Sequence, residues 1–313
     1  MKNRNSFLFA ANCVLFFAVT LMIAPCNDTA KAQAFKPGCD QLPSQIGKLQ
    51  RKHPIDRVCQ RVVGVNAAGL LQNAAKNNFC ASGTPIAITR NTLVKLQEKI
   101  NESGFVFGRD RSGEHLPVTR DSLKNLTIDD NGQQRTLSEG DAVIIVGFIN
   151  DARHSNTTVS VNRKTKKCTV TGGESVNCNR LGCKNNDIHI DLGDSTGVDE
   201  CDRFTAEISP HLRPVTWDKI TSDSYKMDFK SFPVRMTGQL FFDASHRPCR
   251  NGQGAAPKRS SSWEVHPVYA IDVCRFPDAS RCKVDDESAW LPFHLGLGLR
   301  PAVTEKKCAT CGK

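Results

Sequence analysis

The chain has 313 residues, with 42 Lys and Arg against 32 Asp and Glu, for a formal net charge of +10. That basicity points away from acidic, solvating disorder and towards anionic partners such as nucleic acid, acidic polysaccharide or a phospholipid surface. Fourteen cysteines at this length are too many for incidental use and ask which redox compartment the chain is built for.

In chain order, Lys2 and Arg4 precede an apolar run from Phe7 to Ala24, and Ala30-Lys31-Ala32 and Ala32-Gln33-Ala34 are small-x-small patterns. This is the layout of a cleaved secretory signal over 1–32, so the mature chain is expected to be secreted or periplasmic. No later stretch approaches the roughly 20 apolar residues of a membrane span. Removing the signal takes away a net +2 and two cysteines, leaving twelve. An exported chain with twelve cysteines is expected to be stapled by disulfides, whose pairing the spacing does not fix. The competing use is a four-thiolate zinc site from Cys178, Cys183, Cys308 and Cys311.

Residues 33–137 read as a small helical and loop region. Leu70, Leu71, Ala74 and Ala75 have helical spacing, and Leu93, Leu96 and Ile100 make a stripe over Thr89–Ser103 with Gly104 at the C-terminal stop. Thr119 to Leu126 suggests another helical turn, and Asn131-Gly132 a tight turn. From residue 138 to 276 the texture becomes β. Ala142 to Ile149 is rich in branched residues around an interior Gly, and Thr157 to Val161 is a candidate arm. Asp187 to Leu192 and Arg203 to Ile208 alternate strictly. Trp217 to Tyr225 reads as a helical segment, and Val234–Phe242 and Trp263–Val273 are the last strands. Pro267 places an edge or a bulge in the final one. Residues 277–313 read as a Cys-containing tail.

Five strands with a helix between the third and fourth predict a mainly β fold: a five-stranded OB-like Greek-key barrel with long loops, plus the helical N-terminal region. Residues 139–274 also carry Gly140-Asp141, Asp187-Ile188-His189, Glu207, Pro210, His246 and Trp263-Glu264-Val265-His266-Pro267. In these they resemble the uncharacterised secreted bacterial proteins with an OB-like barrel and a WEIHP-type final strand. The resemblance implies the fold and no particular activity.

Two loops carry the charge. Residues 150–186 net +5 and residues 243–262 net +3. They join strands 1–2 and 4–5, the loops that flank the ligand face in OB-folds. Arg153, Lys164, Lys166, Lys167, Arg180, Lys184, Arg247, Arg250, Lys258 and Arg259 are therefore the candidate grip for an anionic polymer, an oligonucleotide or an acidic glycan. The bland alternative is two solvated loops. Base stacking lacks obvious partners: Phe204, Phe241 and Trp263 fall on the core side of the alternation, leaving Phe242 and Tyr269 as candidates for exposure.

A second constellation is titratable. Asp187 and His189, and Glu264 and His266, share faces by their i, i+2 spacing, and His246 opens the loop between the last strands. Three imidazoles and two carboxylates suit Zn²⁺ with an open position for water, the basis of a metal-dependent phosphodiesterase or nuclease. Otherwise no cofactor is implied, and the same groups serve as the polar outer face of half-buried strands. The chain has no Gly-rich phosphate loop, no H-E-x-x-H and no G-x-S-x-G. The readings are an anion-binding module, a metal-dependent hydrolase, or a structural envelope protein.

Overall fold

The computed structural model describes residues 83–110, 113–154, 158–162, 168–171, 186–210, 231–250 and 257–293. It adds scattered positions at 68–81 and at 164–165, 213–214, 217 and 220. All belong to one compact unit, Ala32–Lys313. The expected signal segment over 1–32, the helical segment expected over Trp217–Tyr225 apart from Trp217 and Ile220, and the Cys178, Cys183, Cys308 and Cys311 set lie outside the described residues.

The fold is mainly β. Its centre is a closed barrel of β6 (Ala142–His154), β9 (Ile188–Gly193), β10 (Phe204–Ile208), β11 (Val234–Phe242) and β12 (Trp263–Cys274). Around the barrel the order is β6, β11, β12, β10, β9 and back to β6. β11 is antiparallel to both β6 and β12, and β9 to both β10 and β6, while β10 lies parallel to β12 with Ala206 beside Val265. β6 is long because its first half pairs with β11 and its second, past an irregularity between Ile149 and Asp151, with β9.

Alternation explains the interior. Ile188, Ile190 and Leu192, Phe204, Ala206 and Ile208, Met236 and Leu240, and Trp263 and Val265 all join one apolar core. Pro267 sits in a register shift between β11 and β12, next to Val268, the partner of Gly238. A Cβ on Gly238 would lie 2.5 Å from the Pro267 carbonyl oxygen, so only glycine lets the strands approach across the bulge. Phe241 and Phe242 swap the faces expected of them, and both are fully buried. Phe242 enters the barrel core and meets Trp263 edge-on at 5.1 Å, while Phe241 lies against the His266 ring on the other side. Tyr269, the other candidate for exposure, is buried and donates to the Asn78 carbonyl.

Among the described residues the N-terminal region mixes helix with short strands, and Ala68, Gln72, Ala75 and Lys76 are helical. The helix α1 (Arg90–Glu102) forms as expected, capped reciprocally by Thr89 and Thr92, with Leu93, Leu96 and Ile100 fully buried. It is accompanied by β1 (Ile86–Ile88), β2 (Gly108–Asp110), β3 (Gly113–His115), β4 (Leu126–Asp130) and β5 (Gln133–Leu137). β1 pairs parallel with β6, and β4–β5 turn tightly through Asn131 and Gly132, both at positive φ. The helical turn near 119–126 is a short 3₁₀ turn at Asp121–Leu123. β7 (Thr158–Val161) and β8 (Cys168–Thr171) form the arm, and β13 (Trp290–Pro292) extends the expected tail as a strand on β12.

α1 is tied to the start of β12. Ser261 donates to the Leu93 carbonyl, and the Ser262 amide donates to the Gln97 side chain. Phe105 and Phe107, just past α1, meet Phe242 edge-on. Two disulfides are present among the described residues, Cys201–Cys249 and Cys274–Cys282. No described helix is long and apolar enough to cross a membrane.

Candidate functional site

The strands that fill the barrel with Ile190, Ala206 and Val265 send their alternate side chains to the opposite face. There the register sets Glu207 of β10 directly across from His189 of β9, with Glu264 and His266 beside them on β12. A half-buried strand would leave these groups in water. Instead Asp187 and His266 are 0 % exposed, Glu264 1 % and Glu207 3 %. Their cover includes Gln72, Ala75 and Lys76, which are helical. Gln239 on β11 donates to the Ala75 carbonyl, and Lys76 reaches down to the carboxylates.

Two linked clusters result. In the first, Lys76 Nζ lies 2.5 Å from Asp187 Oδ2 and 3.3 Å from Glu207 Oε2. His266 Nε2 lies 3.3 Å from the same two oxygens, and His189 Nδ1 3.2 Å from Glu207 Oε1. In the second, Arg259 donates to Glu264 at 2.7 Å and to Asp243 at 2.6 Å. Asp243 also receives Gln72 at 3.0 Å and holds His246 at 3.1 Å.

Burial pushes the Asp187 carboxyl up, but Lys76 and His266 outweigh it and hold the group below its ordinary range. Burial raises Glu207 too, and His189 and Lys76 likewise overcome it. Burial lowers His266, yet the Asp187 and Glu207 carboxylates raise it on balance. Asp243 is pushed up by burial and pulled well below the usual range by Arg259 and His246. Glu264 goes the other way: burial and the nearby Glu207 charge push it well up against the pull of Arg259. The short Arg259 contact argues for an ionised Glu264, but Arg259 is already neutralised by Asp243. Lys76, Arg259 and a protonated His266 balance Asp187, Glu207 and Asp243, so Glu264 is the carboxyl left to carry a proton.

That assignment has a test. A raised carboxyl contributes stability below its unfolded pKa that is lost as pH climbs through its folded value. Glu264→Gln supplies a permanently neutral acceptor for Arg259, and stability at pH 7 should change by less than about 1 kcal/mol. Glu207→Gln removes a charge facing Lys76 and His189 and should cost roughly 3–5 kcal/mol. Urea unfolding of the two variants at pH 7 would reverse this order if Glu264 were the ionised partner.

Asp187, His189 and Glu207 each offer a ligand atom, all within 4.8 Å of one another. The Lys76 ammonium contacts both carboxylates of that set, so the cation the group would take is already supplied by the chain. Of the expected metal ligands, Asp187, His189 and His266 come together around Glu207. Glu264 is engaged by Arg259, and His246 belongs to Asp243. The signal for Glu207 was its place on an alternating strand, but its pairing with His189 depends on register.

The loop cations divide. Arg153 pairs with Asp151 and Asp191, and Lys258 with Glu200. Lys164 is exposed next to the β7–β8 arm, whereas Lys166, Lys167, Arg180 and Lys184 lie outside the described residues. Arg259, expected among the ligand-gripping cations, is 1 % exposed, and its guanidinium holds the second cluster together. Arg247 and Arg250 are exposed and line a groove of about 620 Å³ between α1 and the β11–β12 loop, with Val94, Asn101 and Phe105. No family model, no curated protein and no solved structure matches this chain.

Proposed function

We propose that this protein is an exported, disulfide-stapled OB-like barrel that binds an anionic polymer, an oligonucleotide or an acidic polysaccharide, through its basic loops. The OB-like reading is supported by the strand order, in which the first strand neighbours the second and fourth and the third runs parallel beside the fifth. The likeness to secreted proteins with a WEIHP-type strand is consistent with it. The observation that carries the binding reading is the groove between α1 and the loop joining strands 4 and 5. Arg247 and Arg250 open into it, while the outer face of the second and third strands is covered by the segment holding Lys76.

Arg247 Nε donates to the Phe107 carbonyl, which orients the guanidinium on the groove wall. A second donor, Arg250, and the apolar sides of Val94 and Phe105 suit an anionic group carried on a less polar ring. Titration of a labelled oligonucleotide and of a sulfated glycan at rising salt tests this. Affinity should fall steeply between about 50 and 200 mM salt, and Arg247→Ala with Arg250→Ala should lower the slope of log K against log salt by about two. Affinity flat in salt, or a double variant that binds like the parent, would sink the proposal.

The convergence of Asp187, His189 and Glu207 favours a second reading, a zinc-dependent hydrolase. Elemental analysis of the oxidised protein separates the two. Stoichiometric zinc lost on His266→Ala supports the hydrolase; no zinc leaves the cluster to Lys76.

A further inference from the structure

We propose that Lys76 and Asp187 become joined by an intramolecular amide bond that the protein forms by itself, with Glu207 carrying the protons. Three observations meet at this point. Lys76 Nζ lies 2.5 Å from Asp187 Oδ2, so the amine stands at the carboxyl it would attack. Glu207 Oε2 is 3.3 Å from the same nitrogen, and His266 Nε2 is 3.3 Å from Asp187 Oδ2. The site is enclosed: Asp187 is fully buried, Lys76 is 6 % exposed, and Asp187 Oδ1 has no hydrogen-bond partner among the described residues.

Each observation bears on the chemistry. Lys76 is the one buried lysine among the described residues. The resting pair is ammonium and carboxylate, and a proton shift from Lys76 to Asp187 within the buried contact gives a free amine beside a carboxylic acid, the two forms that react. A desolvated lysine amine is a competent nucleophile towards a carbonyl carbon. Holding the pair in contact removes the entropic cost of bringing it together. The neighbouring Arg259–Glu264 contact lacks this chemistry, because a guanidinium does not give up its proton.

The step balances. The Nζ lone pair attacks Asp187 Cγ and forms the C–N bond. Glu207 accepts a proton from the nitrogen and delivers it to the departing carboxyl oxygen, while His266 donates to the oxygen that bears charge in the tetrahedral intermediate. The Cγ–O bond breaks and one water leaves, carrying the oxygen and two protons. Nothing is oxidised or reduced, and no co-reactant is needed. The product fastens the helical segment of Lys76 across the outer face of β9, β10 and β12.

The test is the intact mass of the purified, fully reduced full-length protein, with its N-terminus fixed by sequencing. The expected mass is lower than that of the linear chain by one water molecule. Trypsin should then fail to cut after Lys76 and release a branched peptide joining the Lys76 and Asp187 segments. Glu207→Gln and Asp187→Ala should each restore the full linear mass, with circular dichroism reporting whether the barrel is retained. The wild-type measurement decides alone if a variant does not fold. A wild-type chain of full linear mass with Lys76 cleaved normally overturns the proposal. So does a water lost at any other residue. A bond that still forms in folded Glu207→Gln overturns the role of Glu207.

Discussion

Replacing Arg259 by alanine is expected to destabilise the protein by about 3–5 kcal/mol, the cost of leaving a buried ion cluster without one of its charges. Its guanidinium is the cation shared by Asp243 and Glu264, at 2.6 and 2.7 Å, and it is 1 % exposed. In a domain of this size the loss corresponds to a fall in melting temperature of roughly 10 °C, measurable by calorimetry. The pH dependence gives a second signature. Asp243 is held well below its ordinary range, so its contribution is present above its unfolded pKa and lost as pH falls through the folded value. Arg259→Ala should therefore differ most from wild type at neutral pH, and the gap should narrow below about pH 4, where Asp243 of the unfolded chain protonates. A variant within about 1 kcal/mol of wild type at pH 7 would show that the cluster does not depend on Arg259.

Trp263→Ala is expected to cost about 3–5 kcal/mol through the cavity it opens. Trp263 begins β12, is 0 % exposed, and meets Phe242, which in turn packs on Phe105 and Phe107 beyond α1. It therefore couples the barrel to the N-terminal region, and a cavity there loosens both. Its indole nitrogen is buried with no hydrogen-bond partner among the described residues. Trp263→Phe removes that orphan donor and keeps a ring in place, so it should cost less than half as much, roughly 1–2 kcal/mol. Equal costs for the two variants in urea unfolding would mean that the ring itself contributes little.

The barrel was legible because its strands obey a local rule. DIHIDL and RFTAEI alternate with period two, and burial of Ile188, Ile190, Leu192, Phe204, Ala206 and Ile208 follows from that spacing. α1 was legible for the same reason at its own period, with Leu93, Leu96 and Ile100 as its stripe. Pro267 could mark a bulge because it lacks the amide a regular ladder needs. β4 and β5 were not legible as strands. LTIDD and QQRTL bury only Ile128, Asp130 and Leu137, so most of their side chains face solvent and leave little apolar period to read.

The candidate site divides along the same line. Local spacing was enough to set Asp187 and His189 on one face, and Glu264 and His266 on another strand's outer face. That this face is buried depends on Lys76 and Gln72, more than a hundred residues upstream of the strands they cover. Likewise Arg259 sits in a polar, basic loop and reads as a surface cation, yet the fold turns it inward onto Asp243 and Glu264. The sequence by itself determined which residues line the barrel and where positive charge accumulates, because both follow from neighbours a few positions away. Only the tertiary structure decided which charges meet, because a buried charge takes its partner from whatever element the chain lays across it.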